Sequence, residues 1–197
     1  MTIDNMGVMN KGWGICGFTS SLYALYTNKP SEQVKLAKGG GTSTMVLAEI
    51  KSYLRMLQAD GRQDLLGGIT SFTRSFGGVF AGFTIDDYIA RINDVVNIGA
   101  NTSDDKFGIA MPPDAVVDYL KRICDFGGAR QVGTGDACSE CILGVYETAN
   151  KNGPHKGLKH YLYQLNGTIY SWGNQFASVE AAMGKGWDVC YKIAIAG

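Results

Sequence analysis

Apolar residues in the first two thirds of the chain recur at helical spacing. From Thr42 to Ala59 they fall on one stripe, which predicts a helix with one buried face. Thr84-Ile-Asp-Asp87 resembles a capping box and predicts the start of another helix. Gly67 to Gly82 mixes glycine with apolar residues too irregularly for a helix or a strand, and we predict a loop with aromatic anchors. Further helices are expected from Cys16, over Ser31 to Lys38, and from Pro112-Pro113-Asp114 to Gly127.

The hydrophobic pattern changes after about Gln131. Segments rich in β-branched and aromatic residues predict strands, and Asn166-Gly167 is a strong hairpin turn signal. The predicted strands are Cys141 to Thr148, His160 to Leu165, Thr168 to Trp172 and Asp188 to Ala196, with a short helix at Ser178 to Met183. Helices followed by strands predict an α+β fold in which N-terminal helices pack on a C-terminal antiparallel sheet. We expect one domain, residues 1–197, with a helical lobe of about 1–128 and a β-rich lobe of about 129–197.

Composition and charge exclude several classes of function. Eighteen basic and 18 acidic residues balance without a basic run, so nucleic-acid binding is not expected. No apolar run approaches the roughly 20 residues that span a bilayer. The first residues lack the basic and apolar regions of a signal peptide, and we expect synthesis in a cytosol. Five cysteines, an odd number, favour reduced thiols over a disulfide framework and leave at least one unpaired.

A cysteine stands where a glycine-rich turn becomes an apolar, helix-period segment. Within Asn10 to Tyr26 the chain reads Gly-Trp-Gly-Ile-Cys-Gly-Phe, which places Cys16 at the start of a helix. Unpaired backbone N–H groups and the positive end of the helix macrodipole favour a thiolate at such a position. The sequence therefore predicts that Cys16 is a nucleophile.

A cysteine nucleophile requires a base, and the chain contains two histidines. His155 follows a Gly-Pro turn, whereas His160 begins a predicted strand. Because strands hold catalytic geometry more tightly than loops, His160 is the predicted base.

The register of the Asn166-Gly167 hairpin decides which residue orients His160. A two-residue turn makes Ser171 and Gln175 diagonal neighbours of His160, whereas a three-residue loop brings Asn174 to that place. We predict Asn174, because its amide oxygen accepts a hydrogen bond from imidazole while remaining uncharged, with Ser171 and Gln175 as alternatives.

This order of residues resembles the papain-like cysteine hydrolase superfamily. That family has a cysteine at an N-terminal helix start, a strand histidine about 130–150 residues later and an Asn or Asp on the next strand. Cys16 and His160 are 144 positions apart, and Asn10 lies six residues before Cys16, where the family has a glutamine. Ser171-Trp172-Gly173 is similar to part of the family's Asn-Ser-Trp-Gly motif, although Tyr170 replaces the asparagine.

The resemblance implies a thiol hydrolase that acts on an amide or isopeptide bond without a metal or other cofactor. Cys16 would attack the carbonyl, His160 would carry the proton, and the Asn10 amide would help to bind the oxyanion. Trp13, Trp172 and Ser171 flank the predicted centre as substrate-binding residues. The catalytic set implied is Cys16, His160, Asn174 and Asn10.

The same resemblance suggests where such an enzyme acts. Compact bacterial members include injected effector toxins and NlpC/P60-type peptidoglycan enzymes, and transglutaminase-like folds share the Cys, His, Asn or Asp order. The implied partners are a peptide or protein substrate or a peptidoglycan peptide, with a cognate inhibitor, or immunity, protein. Without a signal peptide, delivery would require a specialised secretion system.

One alternative assigns His160 to a metal. Cys138-Ser-Glu-Cys141, followed by His155 and His160, satisfies the generic C-x2-C…H-x3–5-H zinc spacing. Pro154 breaks the helix that a zinc finger requires at its histidines. A non-catalytic zinc-binding or protein-interaction module using these four residues is therefore the second hypothesis.

Overall fold

The structure, a computed structural model, describes residues 14–32, 42–98 and 107–195. Within these residues the chain forms helices first and strands afterwards, so the α+β prediction is confirmed. The long helices are α1 (Cys16–Asn28), α2 (Thr42–Ala59), α3 (Gln63–Arg74), α4 (Ile85–Ile98) and α5 (Pro113–Arg122). The strands are β1 (Arg130–Val132), β2 (Glu140–Glu147), β3 (Leu158–Leu165), β4 (Thr168–Ser171), β5 (Asn174–Phe176) and β6 (Trp187–Ala194). Short helical segments lie at Gly78–Phe80, Thr148–Asn150, Pro154–Gly157 and Val179–Met183, the last named α6.

The loop predicted for residues 67–82 is wrong in its first half, because helix α3 runs through Gly67 and Gly68. Leu65, Ile69 and Phe72 lie on one buried face, and this burial outweighs the low helix propensity of the two glycines. A Cβ at Gly68 would lie 3.3 Å from Pro112 Cγ, so the missing side chain lets α3 approach the start of α5. The helix predicted at 31–38 lies, apart from its first two residues, outside the described residues.

The six strands form one antiparallel sheet in the order β1-β6-β2-β3-β4-β5. Leu165 pairs with Thr168 across Asn166 and Gly167, both of which have positive φ, 49° and 85°. This is the two-residue turn with the primed geometry that the Asn-Gly signal predicts. Consecutive hairpins therefore place β3, β4 and β5 side by side.

The helices pack on one face of the sheet and form the main core with it. Tyr161, Tyr163 and Ile193 contribute from the strands, together with residues of all five long helices. The opposite face carries a smaller cluster that includes Leu143 and Leu162 and is covered by α6. The sheet is therefore buried on both sides at its centre.

Helix α1 is buried along ten consecutive residues, from Gly17 to Tyr26. Two of its buried hydroxyl groups bond within the helix: Ser21 Oγ donates to the Gly17 carbonyl at 2.8 Å, and Thr19 Oγ1 lies 3.3 Å from the Cys16 carbonyl. A helix buried all round has no solvated face on which to shift or rotate. The position of its first residue, Cys16, is therefore set by packing.

The start of α1 requires glycine at its second residue. A Cβ at Gly17 would lie 3.0 Å from both Cβ and Sδ of Met111, which is itself buried. We expect Gly17→Ala to lower the free energy of unfolding by about 1–3 kcal/mol, because overpacking forces neighbouring atoms apart. Chemical denaturation measures this change.

The matched control is Gly67→Ala in α3, where an added methyl group meets no atom within 4 Å. It is expected to raise the free energy of unfolding by about 0.5–1 kcal/mol, because alanine restricts the unfolded chain. Stabilisation by both substitutions would contradict the close approach of α1 to Met111.

Candidate active site

Cys16 is the first residue of α1, and its thiol faces backbone N–H groups. Ile15 precedes the helix without a capping side chain, and the first turn contains no acidic residue. The N–H groups that stabilise the sulfur belong to Tyr161 of β3, to Gly17 and to Cys16 itself. The thiol therefore lies at the junction of the central helix and a central strand.

The segment 107–111 forms a wall beside Cys16 and is held from several directions. Gly14, with φ of +60°, accepts a hydrogen bond from Ile109 N at 3.3 Å. Thr73 Oγ1 of α3 accepts one from Ala110 N at 2.9 Å. Tyr161 Oη donates to the Met111 carbonyl at 3.0 Å. These bonds fix α1, α3 and β3 around one cleft.

His160 is 7% exposed and is positioned by an irregularity in β3. Val145 of β2 pairs with His160, and the next residue of β2 pairs with Leu158, so Lys159 is an extra residue in β3. A β-bulge of this kind re-aims the neighbouring side chains and is common beside active sites. The bulge therefore sets the direction of His160 at the end of the strand.

Ser171 is the residue that contacts the His160 ring. Nε2 of His160 lies 2.9 Å from Ser171 Oγ, and Ser171 is 4% exposed. This contact is the diagonal one that a two-residue turn predicts. Asn174, the predicted orienting residue, is exposed, and its Nδ2 donates instead to the Trp172 carbonyl at 3.2 Å. Gln175 pairs with Tyr170 and is also exposed.

Trp172 covers one face of the His160 ring. The two rings are stacked, with centroids 4.5 Å apart and planes 13° apart. Trp172 and Gly173 have φ of 48° and 78° in the tight turn between β4 and β5. Positive φ is unfavourable for a bulky residue and is observed where other contacts enforce it, often at functional sites. The stacked imidazole is such a contact.

Cys16 and His160 line the same cavity, which has a volume of about 140 Å³. Its walls are largely apolar, with the side chains of Phe72, Phe76 and Trp172 among them. Within the described residues, no hydrogen bond joins Cys16 Sγ to His160, and His160 Nδ1 has no hydrogen-bond partner. The structure therefore brings the predicted nucleophile and base to one cleft as unbonded neighbours.

Burial controls the protonation of both groups. It raises the pKa of the Cys16 thiol to about 11, and the nearby N–H groups only partly oppose this shift. Burial also lowers the pKa of His160 to about 3. The expectation of a thiolate at the helix start is therefore wrong for the resting site, because desolvation of the sulfur outweighs the stabilisation from the helix N-terminus. Near neutral pH both groups are uncharged.

The remaining predicted site residues are placed unequally. Trp172 and Ser171 both contact His160, so two of the three predicted substrate-binding residues are in the centre. Asn10 and Trp13 lie outside the described residues. Three parts of the site were not predicted: the Tyr161 backbone N–H, the aromatic wall formed by α3 and the segment after it, and Lys159. Phe72 lies in α3, whereas Phe76 and Phe80 lie beyond its end, in the segment predicted as a loop with aromatic anchors.

The four residues of the predicted zinc site are not brought together. Cys138 and Cys141 form a disulfide. Cys141 and Val145, the β2 partner of His160, are four residues apart, or about 13 Å along a strand. His155 packs on α3, where its ring centroid lies 4.3 Å from that of Phe72. In the described parts of the chain no three His, Cys, Asp or Glu side chains are grouped to hold a metal ion.

The disulfide also corrects the prediction of reduced cysteines. Cys16, Cys124 and Cys190 remain as free thiols. Cys124 and Cys190 are buried, whereas Cys16 is partly exposed at the cleft. Of the three free cysteines, Cys16 is therefore the residue with the greatest exposure.

Comparison of the chain with protein-family models, with curated proteins and with solved structures finds no match. None of the helices in residues 14–32, 42–98 and 107–195 combines the length and apolar character needed to span a bilayer. The site is therefore interpreted from its own geometry.

The buried imidazole makes stability depend on pH. His160 has a pKa of about 3 in the folded protein, against an ordinary value of 6.5. Between these values the unfolded chain binds a proton that the folded chain does not, so acidification destabilises the fold by up to about 1.4 kcal/mol per pH unit. We expect the free energy of unfolding of the wild type to fall more steeply from pH 6.5 to pH 3 than that of His160→Gln.

Denaturation at a series of pH values tests this expectation. His155→Gln is the matched control, because burial also lowers the pKa of His155 but the residue is only half-buried. His155→Gln should therefore change the pH dependence of the free energy of unfolding less than His160→Gln does. Parallel stability curves for the wild type and His160→Gln would show that His160 is not buried as a neutral ring.

Proposed function

We propose that this protein is a cysteine hydrolase of papain-like architecture that cleaves or modifies an amide bond. The proposal rests on one observation: Cys16 and His160 line the same cleft, and Ser171 holds the His160 ring there. A nucleophile, a base and a residue that orients the base are the parts that such chemistry requires. Helices before an antiparallel sheet, with the cysteine at a helix start and the histidine on a strand, agree with the papain-like order.

The reaction begins with both groups neutral. In the proposed tautomer His160 carries its proton on Nε2 and donates to Ser171 Oγ, which leaves Nδ1 unprotonated and able to accept the thiol proton. As that proton moves to Nδ1, Cys16 Sγ attacks the substrate carbonyl carbon and a C–S bond forms. His160 then passes the proton to the leaving amine as the C–N bond breaks. Water hydrolyses the resulting thioester, or a second amine accepts the acyl group.

The start of α1 supplies a site for the developing oxyanion. The backbone N–H of Cys16 belongs to the uncapped first turn of the helix, where N–H groups have no partner within the helix. Each donor to an oxyanion contributes about 3 kcal/mol to transition-state stabilisation. The Asn10 side-chain amide is the proposed second donor.

The substrate is an amide-containing peptide, protein or peptidoglycan peptide, and the activity is that of a protease, amidase, deamidase or transglutaminase. By its resemblance, the protein belongs with bacterial effectors that a specialised secretion machine delivers and that an immunity protein inhibits. These assignments follow from the resemblance of residue order and site.

The proposal is tested by mass spectrometry of candidate substrates. Protein mixtures and muropeptides are incubated with the wild type, with Cys16→Ala and with His160→Gln. We expect mass changes that correspond to cleavage, loss of ammonia or amine transfer with the wild type only. Identical spectra from all three proteins would leave the hydrolase without support.

The roles of Ser171 and Asn174 are separated by a reaction that requires no substrate. Alkylation of Cys16 by iodoacetamide at pH 7 depends on transfer of the thiol proton to His160. We expect His160→Gln to lower the rate by at least about tenfold and Ser171→Ala to lower it by a smaller factor, because general-base assistance is typically about 100-fold or more.

Asn174→Ala is the matched control and should keep the wild-type rate, since its side chain contacts the Trp172 carbonyl. Peptide mapping assigns the alkylated residue, and the buried Cys124 and Cys190 should remain unmodified. If the alkylation rate of Cys16 falls in Asn174→Ala but not in Ser171→Ala, Asn174 is the residue that orients His160.

A further inference from the structure

Two neighbouring cavities share one wall at the candidate site. The first contains Cys16 and His160, and the second, of about 390 Å³, lies against the turn at residues 149–157. Four residues line both cavities: Phe72, Phe76, Leu158 and Lys159. The two cavities are therefore adjacent along this wall, and we refer to them together as the groove.

The part of the groove nearest the thiol is suited to an apolar side chain. Phe72, Phe76, Phe80 and Trp172 line it. Its volume of about 140 Å³ matches that of a cavity able to hold a benzene-sized group. Phe76 is 43% exposed, which leaves its ring available to a bound chain.

The groove contains one formal charge. Among the described residues that line either cavity, Lys159 is the only one with a charged side chain. Lys159 is exposed, and within the described part of the chain it forms no salt bridge or hydrogen bond. Its ammonium group lies 5.8 Å from the centroid of the Phe76 ring. The wall therefore presents an uncompensated positive charge directly beside an apolar surface.

We propose that the groove selects a peptide segment in which an apolar residue lies near the reacting amide and an acidic residue contacts Lys159. This proposal rests on the proposed function and specifies its substrate class. The apolar side chain would fill the cavity beside Cys16, and the carboxylate would pair with the ammonium group at Phe76. Charge complementarity of this kind contributes chiefly to selectivity among substrates.

Peptidyl chloromethyl ketones test the proposal whichever amide reaction the enzyme catalyses, because they alkylate the nucleophile directly. Four series of probes combine Leu or Gly as the near residue with Glu or Lys placed one to three residues further away. The rate of alkylation of Cys16 is measured by mass spectrometry. We expect the best Leu–Glu probe to react about fivefold faster than its Leu–Lys counterpart, since an exposed ion pair contributes up to about 1 kcal/mol.

Charge reversal supplies the decisive comparison. Lys159→Glu should invert the preference, so that Leu–Lys probes react faster than Leu–Glu probes. Lys185→Glu, an exposed lysine that lines neither cavity, is the matched control and should retain the wild-type preference. Equal rates for Glu and Lys probes in both the wild type and Lys159→Glu would overturn the proposal.

The apolar part is tested at Phe76. Phe76→Ala should slow the Leu probes about tenfold and leave the Gly probes nearly unchanged. Val79→Ala removes the other large exposed apolar side chain described, lines neither cavity and should alter neither series. Equal slowing of Leu and Gly probes by Phe76→Ala would contradict an apolar subsite.

Failure of this proposal is distinguishable from failure of the proposed function. If Cys16 reacts with the peptidyl probes faster than with chloroacetamide, but without regard to their side chains, the nucleophile stands and the groove assignment fails. If no peptidyl probe reacts faster than chloroacetamide, both the hydrolase and its substrate class lose their support.

Discussion

The burial of α1 on every side is the constraint on which the candidate site depends. A helix enclosed between other helices and the sheet cannot rotate or slide without opening the main core, so its first residue has one position. At that position the thiol of Cys16 meets the backbone of β3 at Tyr161. The glycine at position 17 permits the close approach of Met111, and the hydrogen bonds around segment 107–111 close the remaining side. The geometry of the cleft thus follows from core packing.

The parts of this arrangement that were predictable from the sequence are those set by local pattern. The apolar stripe of residues 42–59 predicted α2 from its first residue to its last. Asn166-Gly167 predicted a hairpin turn, and of the two registers left open the observed two-residue turn is the one that makes Ser171 and Gln175 diagonal neighbours of His160. Choosing Asn174 required a different loop and rested on side-chain chemistry. For this residue, the register of the hairpin predicts the contact with His160 better than side-chain chemistry does.

The parts that were not predictable depend on contacts between distant segments. Helix α3 forms across two glycines because its other residues enter the core and Gly68 packs against Pro112. The Cys138–Cys141 disulfide is a local exception: its cysteines are three residues apart, and counting cysteines favoured free thiols. The cleft wall of Phe72, Phe76 and Lys159 combines a helix, the turn that follows it and a bulged strand, and none of these segments indicates the wall by itself.

The neutral state of the site follows from the identity of its orienting group. A carboxylate beside His160 would stabilise the imidazolium and raise the pKa of the ring, whereas the Ser171 hydroxyl orients the ring without adding a charge. Burial then keeps His160 unprotonated and Cys16 protonated. Charge separates only when the thiol proton moves during attack, at the point where the N–H groups at the start of α1 can stabilise the developing oxyanion. In such a site the helix N-terminus assists the transition state more than it activates the resting thiol.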